Sequence, residues 1–88
     1  MTEQPQERPI GKITHYFGKV GVGIIELTDT LKVGDTVHIR GATCNFTQTV
    51  GSMQLEHQPV QEAKAGQVIG VMVDERVHEG DQVFLVGG

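Results

Sequence analysis

The 88 residues contain no tryptophan and only three prolines, and three Phe and one Tyr are the whole aromatic complement. A core built on large rings is thereby excluded, and Val, Ile and Leu must fill whatever interior the chain has. The single cysteine, Cys44, excludes an internal disulfide and agrees with a reducing compartment. No apolar stretch approaches the roughly 20 residues of a membrane helix. The opening MTEQPQERP has no apolar signal-peptide region, so a cytoplasmic chain is expected. Basic residues are in the minority, 7 Lys and Arg against 11 Asp and Glu, which gives a net charge of -4. That balance argues against a charge-driven coat on nucleic acid and leaves room for a local, shape-specific RNA contact. Helical periodicity is also missing, and a chain this short holds one modest core. A self-contained multi-step enzyme is not expected.

What is present is glycine, 12 residues set between short runs of Val, Ile and Thr, the pattern of short strands punctuated by turns. Residues 10–17 (IGKITHYF) and 20–27 (VGVGIIEL) stand at hairpin spacing around Gly18 and Lys19. Gly21 and Gly23 lie two apart on the second strand, where absent side chains allow a bend or close packing. Residues 36–40 alternate, with Val37 and Ile39 inward and Thr36, His38 and Arg40 outward. Residues 43–57 form a longer extended run whose apolar phase changes between Phe46/Val50 and Met53/Leu55, and Gly51 is the expected site of a β-bulge. Residues 59–66 (PVQEAKAG) break the pattern as one helical turn, residues 67–73 make a buried strand, and residues 82–86 close the fold. The expectation is an all-β, mainly antiparallel, closed six-stranded barrel over residues 9–88, behind a flexible tail at 1–8. Lys32-Val33-Gly34-Asp35, Lys64-Ala65-Gly66-Gln67 and Glu79-Gly80-Asp81 each set a charged residue and a glycine before a strand. They are unequally spaced, so they reuse one turn chemistry and do not mark a repeat architecture.

No chemistry-bearing constellation stands out. His15, His38, His57 and His78 lack the three-to-five residue spacing of a zinc motif, so no metal is expected, with His38 and His78 read as solvated surface. Ser52 and Cys44 have no histidine placed beside them by spacing, and no catalytic residue is assigned. There is no phosphate-binding loop, so neither GTP nor another cofactor is expected on this chain. The candidate RNA surface is Lys12, His15, Tyr16, Phe17 and Lys19 around the first hairpin, extended by Arg40 and Arg76 only if the fold brings them near: cations for phosphate, aromatics for an unpaired base. The competing reading has Tyr16 or Phe17 closing the barrel and the lysines serving solubility.

Taken together, LKVGDTVHIRG (31–41), TVGSMQLEHQPVQEAKAGQVIGV (49–71) and HEGDQVFLV (78–86) resemble the second, β-barrel domain of translational GTPases such as elongation factor Tu. That resemblance implies a translation-protein barrel that contacts the ribosome or tRNA, with Glu26, Gln67 and Gly70 at the position of an aminoacyl pocket, Gln67 standing where the Tu type has asparagine. The stretch THYFGKVGVGIIEL (14–27) is also similar to the small barrel at the carboxyl end of collagenase-like peptidases. The resulting expectation is a non-enzymatic binding module for a translation-related RNA or ribonucleoprotein. Its alternative is a protein-interaction accessory acting in trans with a peptidase-like or GTPase-like partner.

Overall fold

A computed structural model describes residues 6–42 and 44–87. Ten strands follow one another: β1 (Gln6–Phe17), β2 (Val22–Leu27), β3 (Leu31–Lys32), β4 (Thr36–Arg40), β5 (Asn45–Thr49), β6 (Met53–Leu55), β7 (Gln58–Val60), β8 (Glu62–Ala63), β9 (Val68–Met72) and β10 (Gln82–Gly87). Eight form one antiparallel sheet in the order β5-β4-β10-β1-β2-β9-β6-β7, and β3 pairs with β8 in a small ribbon. No helix among the described residues is long and apolar enough to cross a membrane.

Two expectations are corrected here. Of the tail expected at 1–8, residues 6–8 belong to β1 instead, Gln6, Glu7 and Arg8 pairing with Gly87, Val86 and Leu85, and residues 1–5 lie outside the described residues. The helical turn at residues 59–66 is replaced by β7 and β8. The chain reverses at Glu56 and His57, which lays Gln58–Val60 back on β6, and the next residues bury Ala63 against Leu31. Pro59 is tolerated because β7 lies at the sheet edge, where a missing N–H costs no ladder bond.

The sheet is also not the closed six-stranded barrel expected from composition. β5 and β7 stand at its two ends with no ladder between them among the described residues. The extended run breaks at residues 50–52, so its first half stays with β4 and its second half crosses to β9. Val50 is still buried and Met53 takes over the inward face three residues later. The phase change was expected, but its form is a break and not a bulge. Irregular bonds join the flanks instead, from Gly34 N–H to Val50 O (2.8 Å), Val50 N–H to Asp35 O (2.8 Å) and Val33 N–H to Gln61 O (2.9 Å). Between β5 and β9 the seam is held by one side chain. Buried Gln48 donates to Met72 O at 2.8 Å and accepts from Asp74 N–H at 2.7 Å.

The bulges that do occur are in β1, where the register shifts between Pro9 and Gly11 and again between Ile13 and His15. Each extra residue resets the pleat, so Ile10, Ile13 and Tyr16 turn inward at intervals of three while Lys12, His15 and Phe17 turn outward. The core that results is aliphatic, with Ile10, Ile13, Ile25, Leu27, Ile39 and Ile69 at or below 1 % exposure and Phe46 the one buried ring. Gly23 serves close packing as expected, since a Cβ there would meet Val77 Cγ2 at 3.2 Å, whereas Gly21, at φ 68°, belongs to the β1–β2 turn.

The three glycine turns share one geometry. In each, the fourth residue donates its N–H to the carbonyl of the first, and its side-chain oxygen accepts the N–H of the first: Asp35 with Lys32, Gln67 with Lys64, and Asp81 with His78. Gly34, Gly66 and Gly80 occupy the third position at φ 98°, 88° and 91°. That conformation requires glycine in a turn of the second type.

Candidate functional site: an outward hollow floored by Gly70

Cross-strand register assembles the site. On the outer face, His15, Ile24, Gly70, Gln54 and Pro59 lie in one row across β1, β2, β9, β6 and β7. Phe17, Val22 and Met72 form the adjoining row, and Lys12, Glu26 and Val68 the row on the other side. Gly70 contributes no side chain, so the middle row sinks between its neighbours and leaves a hollow of about 320 Å³. Its walls include Phe17, Val20, Val22, Ile24, Val68 and the Glu56–His57 turn. A Cβ on Gly70 would stand 3.3 Å from Val22 Cγ1 and 3.5 Å from Ile24 Cδ1, so any larger side chain fills the floor. The exposed large hydrophobic residues are Phe17 (51 %), Val20 (61 %), Val68 (47 %) and Met72 (57 %), and all four sit on this face.

The hairpin at its rim is strained. Glu56 and His57 have φ of 52° and 67°, the left-handed conformation that a two-residue turn demands and that favours Asn-Gly. Exchanging the pair for Asn-Gly is expected to raise stability by about 1 kcal/mol and the melting temperature by about 4–8 °C. A calorimetric scan showing no rise would mean that neither residue is strained.

The sequence-predicted residues divide. Lys12, His15 and Phe17 share the outward face through the second bulge, His15 and Phe17 meet edge to face with ring centroids 6.3 Å apart, and Lys19 is exposed in the turn beside them. His15 also approaches Glu79 at 3.6 Å. Tyr16 packs against the core, which answers the choice between Tyr16 and Phe17 in favour of Tyr16 as the inward ring. Arg40 does not join them. It lies on β4 over the Phe84 ring, 5.3 Å from its centroid, with β10 between it and β1. Glu26 shares a smaller hollow of about 260 Å³ with Lys12, Gly11 and Thr28, separate from Gly70. The side-chain oxygen of Gln67 is occupied by the N–H of Lys64. Glu26, Gln67 and Gly70 therefore do not converge on one pocket. Val68, Met72 and Ile24 were missed, although the unbroken apolar run VIGVMV at 68–73 signalled a strand apolar on both faces.

His38 is not solvated. Its side chain is 14 % exposed, with Nδ1 2.8 Å from a Glu7 carboxylate oxygen and Nε2 facing Asn45 Oδ1. Among the described residues no three His, Cys, Asp or Glu side chains gather as a metal site. Burial first, and then the Asp81 carboxylate beside it, push the Cys44 thiol up, the reverse of an activated nucleophile. Because the folded thiol holds its proton to higher pH than the unfolded one, this contribution to stability is fully present below the ordinary thiol value and is lost as pH rises above that value through the raised folded one. Alkylation of Cys44 by iodoacetamide is accordingly expected to be slow in the native chain and faster in Asp81→Asn. Equal rates in the two would assign the protection to burial alone.

No family model matches the chain. It is 42 % identical over 78 residues to an uncharacterized protease of Methanocaldococcus jannaschii; the match takes in 88 % of this chain and 19 % of that protein, so the chain spans about a fifth of its relative's length. Two crystal structures of the C-terminal domain of a Geobacillus thermoleovorans protein described as a U32 peptidase superpose with TM-scores of 0.84 and 0.83. Their identities are 18 % and 19 %, with 89 % and 86 % of this chain and 91 % and 96 % of theirs covered. Of the two resemblances drawn from the sequence, these matches support the one to collagenase-like peptidases, and the chain has the fold of a U32 peptidase C-terminal domain.

Proposed function

We propose that the chain is a non-catalytic docking module that acts with a peptidase-like protein. The observation that carries this reading is the gathering of Phe17, Val20, Val68 and Met72, each about half exposed, on one outward face around Gly70. Such a patch on a small soluble fold marks a surface that a partner covers. The likeness to part of a longer protease supplies the partner's class. Elsewhere, no buried side-chain polar atom among the described residues is left without a partner, and the one thiol is buried and deactivated.

Lys12, His15, Phe17 and Lys19 on or beside the same face favour one second reading, a contact with translation-related RNA. Tagged chain recovered from lysate of its source organism, with and without ribonuclease, separates the two. A peptidase-like chain retained after ribonuclease, and lost when Phe17 and Met72 are both changed to Asp in a variant that still folds, is the expected result. Retention of tRNA or ribosomal RNA alone, stripped by ribonuclease, would replace the docking reading with the RNA one.

A further inference from the structure

We propose that Glu7, His38 and Asn45 form a proton-operated clasp, which fastens the beginnings of β1 and β5 to β4 while both nitrogens of the His38 ring carry hydrogen and slackens when one gives it up. The clasp is independent of whatever covers the outer hollow. His38 lies on the outer face of β4, in a row with Thr47 of β5, Phe84 of β10 and Pro9 of β1. Its side chain is 14 % exposed, with the Phe84 ring 6.3 Å away. Nδ1 stands 2.8 Å from Glu7 Oε2, and Nε2 faces Asn45 Oδ1. Both partners are acceptors. An ionised carboxylate and an amide oxygen have no hydrogen to give, so the ring makes both bonds only as the imidazolium, with an N–H on each nitrogen.

The neutral ring has one N–H. Directed through Nδ1 at the carboxylate, the stronger acceptor, it leaves a bare Nε2 lone pair against the amide oxygen. Asn45 must then turn its amide end for end or swing into solvent, which its exposed position on β5 permits. Among the described residues no other charged group competes for the ring. From β1, Arg8 is engaged with Asp29 at 3.1 Å, and Lys12 stands in the neighbouring row opposite Gln82. The outer face of β10 presents Gln82, Phe84 and Val86, and that of β5 presents Thr47 and Thr49 beside Asn45. On β4 itself, Arg40 lies two residues on, its guanidinium 5.3 Å over Phe84.

The clasp falls where backbone support is thinnest. Residues 6–9 pair with β10 alone, since pairing with β2 begins at Gly11, and β5, at the end of the sheet, has a ladder only with β4. One ring ties both of these singly laddered segments to the same strand, across separations of 31 and 7 residues. The direction of the pH dependence follows from the donors and acceptors. Both bonds are made above the ordinary carboxylate range and below the ordinary imidazole range, around pH 5.5, and one is lost as pH rises through the imidazole range.

Nitrogen NMR of the full isotope-labelled chain between about pH 5.5 and about pH 8.5 tests the assignment without any variant. Hydrogen is expected on both His38 nitrogens at the lower pH and on Nδ1 alone at the upper. Hydrogen exchange, taken relative to the unstructured-chain rate at each pH, should show protection of the β1–β10 ladder around Glu7 and the β4–β5 ladder around Asn45 falling about 5-fold over that interval. Glu7→Gln should flatten the dependence to less than about 2-fold, and Asn45→Asp, whose carboxylate cannot turn a donor to the neutral ring, should widen it to about 10-fold. Hydrogen kept on Nε2 at the upper pH would overturn the proposal. So would an Asn45 amide that already turns its hydrogens to the ring at the lower pH, protection that varies less than about 2-fold in the unaltered chain, or an equal pH dependence in Glu7→Gln.

Discussion

Gly41→Ala is expected to lower stability by about 2–4 kcal/mol, a large fraction of what a domain this size possesses. A Cβ at that position falls on Oδ1 and Cγ of Asp81, nearer than real Cβ atoms approach any atom. Asp81 has no room to retreat. Its side chain is buried, its Oδ2 accepts the His78 N–H at 2.8 Å, its own N–H reaches His78 O at 3.1 Å, and its carbonyl accepts Ile13 N–H at 2.7 Å. The clash must be relieved by breaking the turn before β10 or by moving the end of β4. Two other glycines calibrate the result. Gly34→Ala meets no atom within 4 Å but forces φ 98° on alanine, so only the conformational cost of about 1 kcal/mol is expected. Gly51→Ala meets neither obstacle and should be neutral, or stabilising by about 0.4–1 kcal/mol through the unfolded chain. Urea unfolding midpoints for the three variants check the ranking, and a Gly41→Ala loss no larger than that of Gly34→Ala would refute the steric account.

Gln48→Leu is expected to cost about 2–4 kcal/mol even though it puts an apolar side chain where the burial pattern asks for one. Leucine leaves Met72 O and Asp74 N–H without the two bonds that Gln48 makes, and it does so at the seam where no strand ladder joins β5 to β9. The loss should be local as well as global. Hydrogen exchange of the Asp74 amide should accelerate well before the core amides of β2 do, because the seam opens without unfolding the rest. Asp74 protection unchanged in the variant would mean that other contacts hold the flanks together.

These cases show where the sequence was legible and where it stopped being so. Strands 36–40 and 82–86 and the three glycine turns could be read directly, because alternation and turn chemistry are local and β4 and its turn obey both. The bulges of β1 were hidden in the residue order: Ile10, Ile13 and Tyr16 recur every third residue, a spacing that a flat strand does not have and that periodicity alone does not assign to bulges. Gln48 carried a signal of its own, a polar side chain between Phe46 and Val50 on the inward parity, which implies a partner without naming it. The helical turn at 59–66 failed because the two-residue reversal at Glu56–His57 lacks the Asn or Gly that announces one. The hollow was the least legible feature. It depends on which strands lie beside β9, and cross-strand register is not written in any one segment.

The pairing of Gln6 with Gly87 sets both ends of the described chain side by side, on neighbouring strands at the end of β1 remote from Phe17. At about 3.3 Å per residue, the length of β1 puts up to about 35 Å of strand between that shared exit and the hollow. Anything that continues from residue 6 or from residue 87 leaves from one spot, on the side of the fold away from the hollow. A circular permutant with residues 6 and 87 joined by a short glycine linker and reopened at Gly51 would move the exit to the other seam. An attached body would then swing from the blind side of the fold to a different flank without a contact in the core being altered.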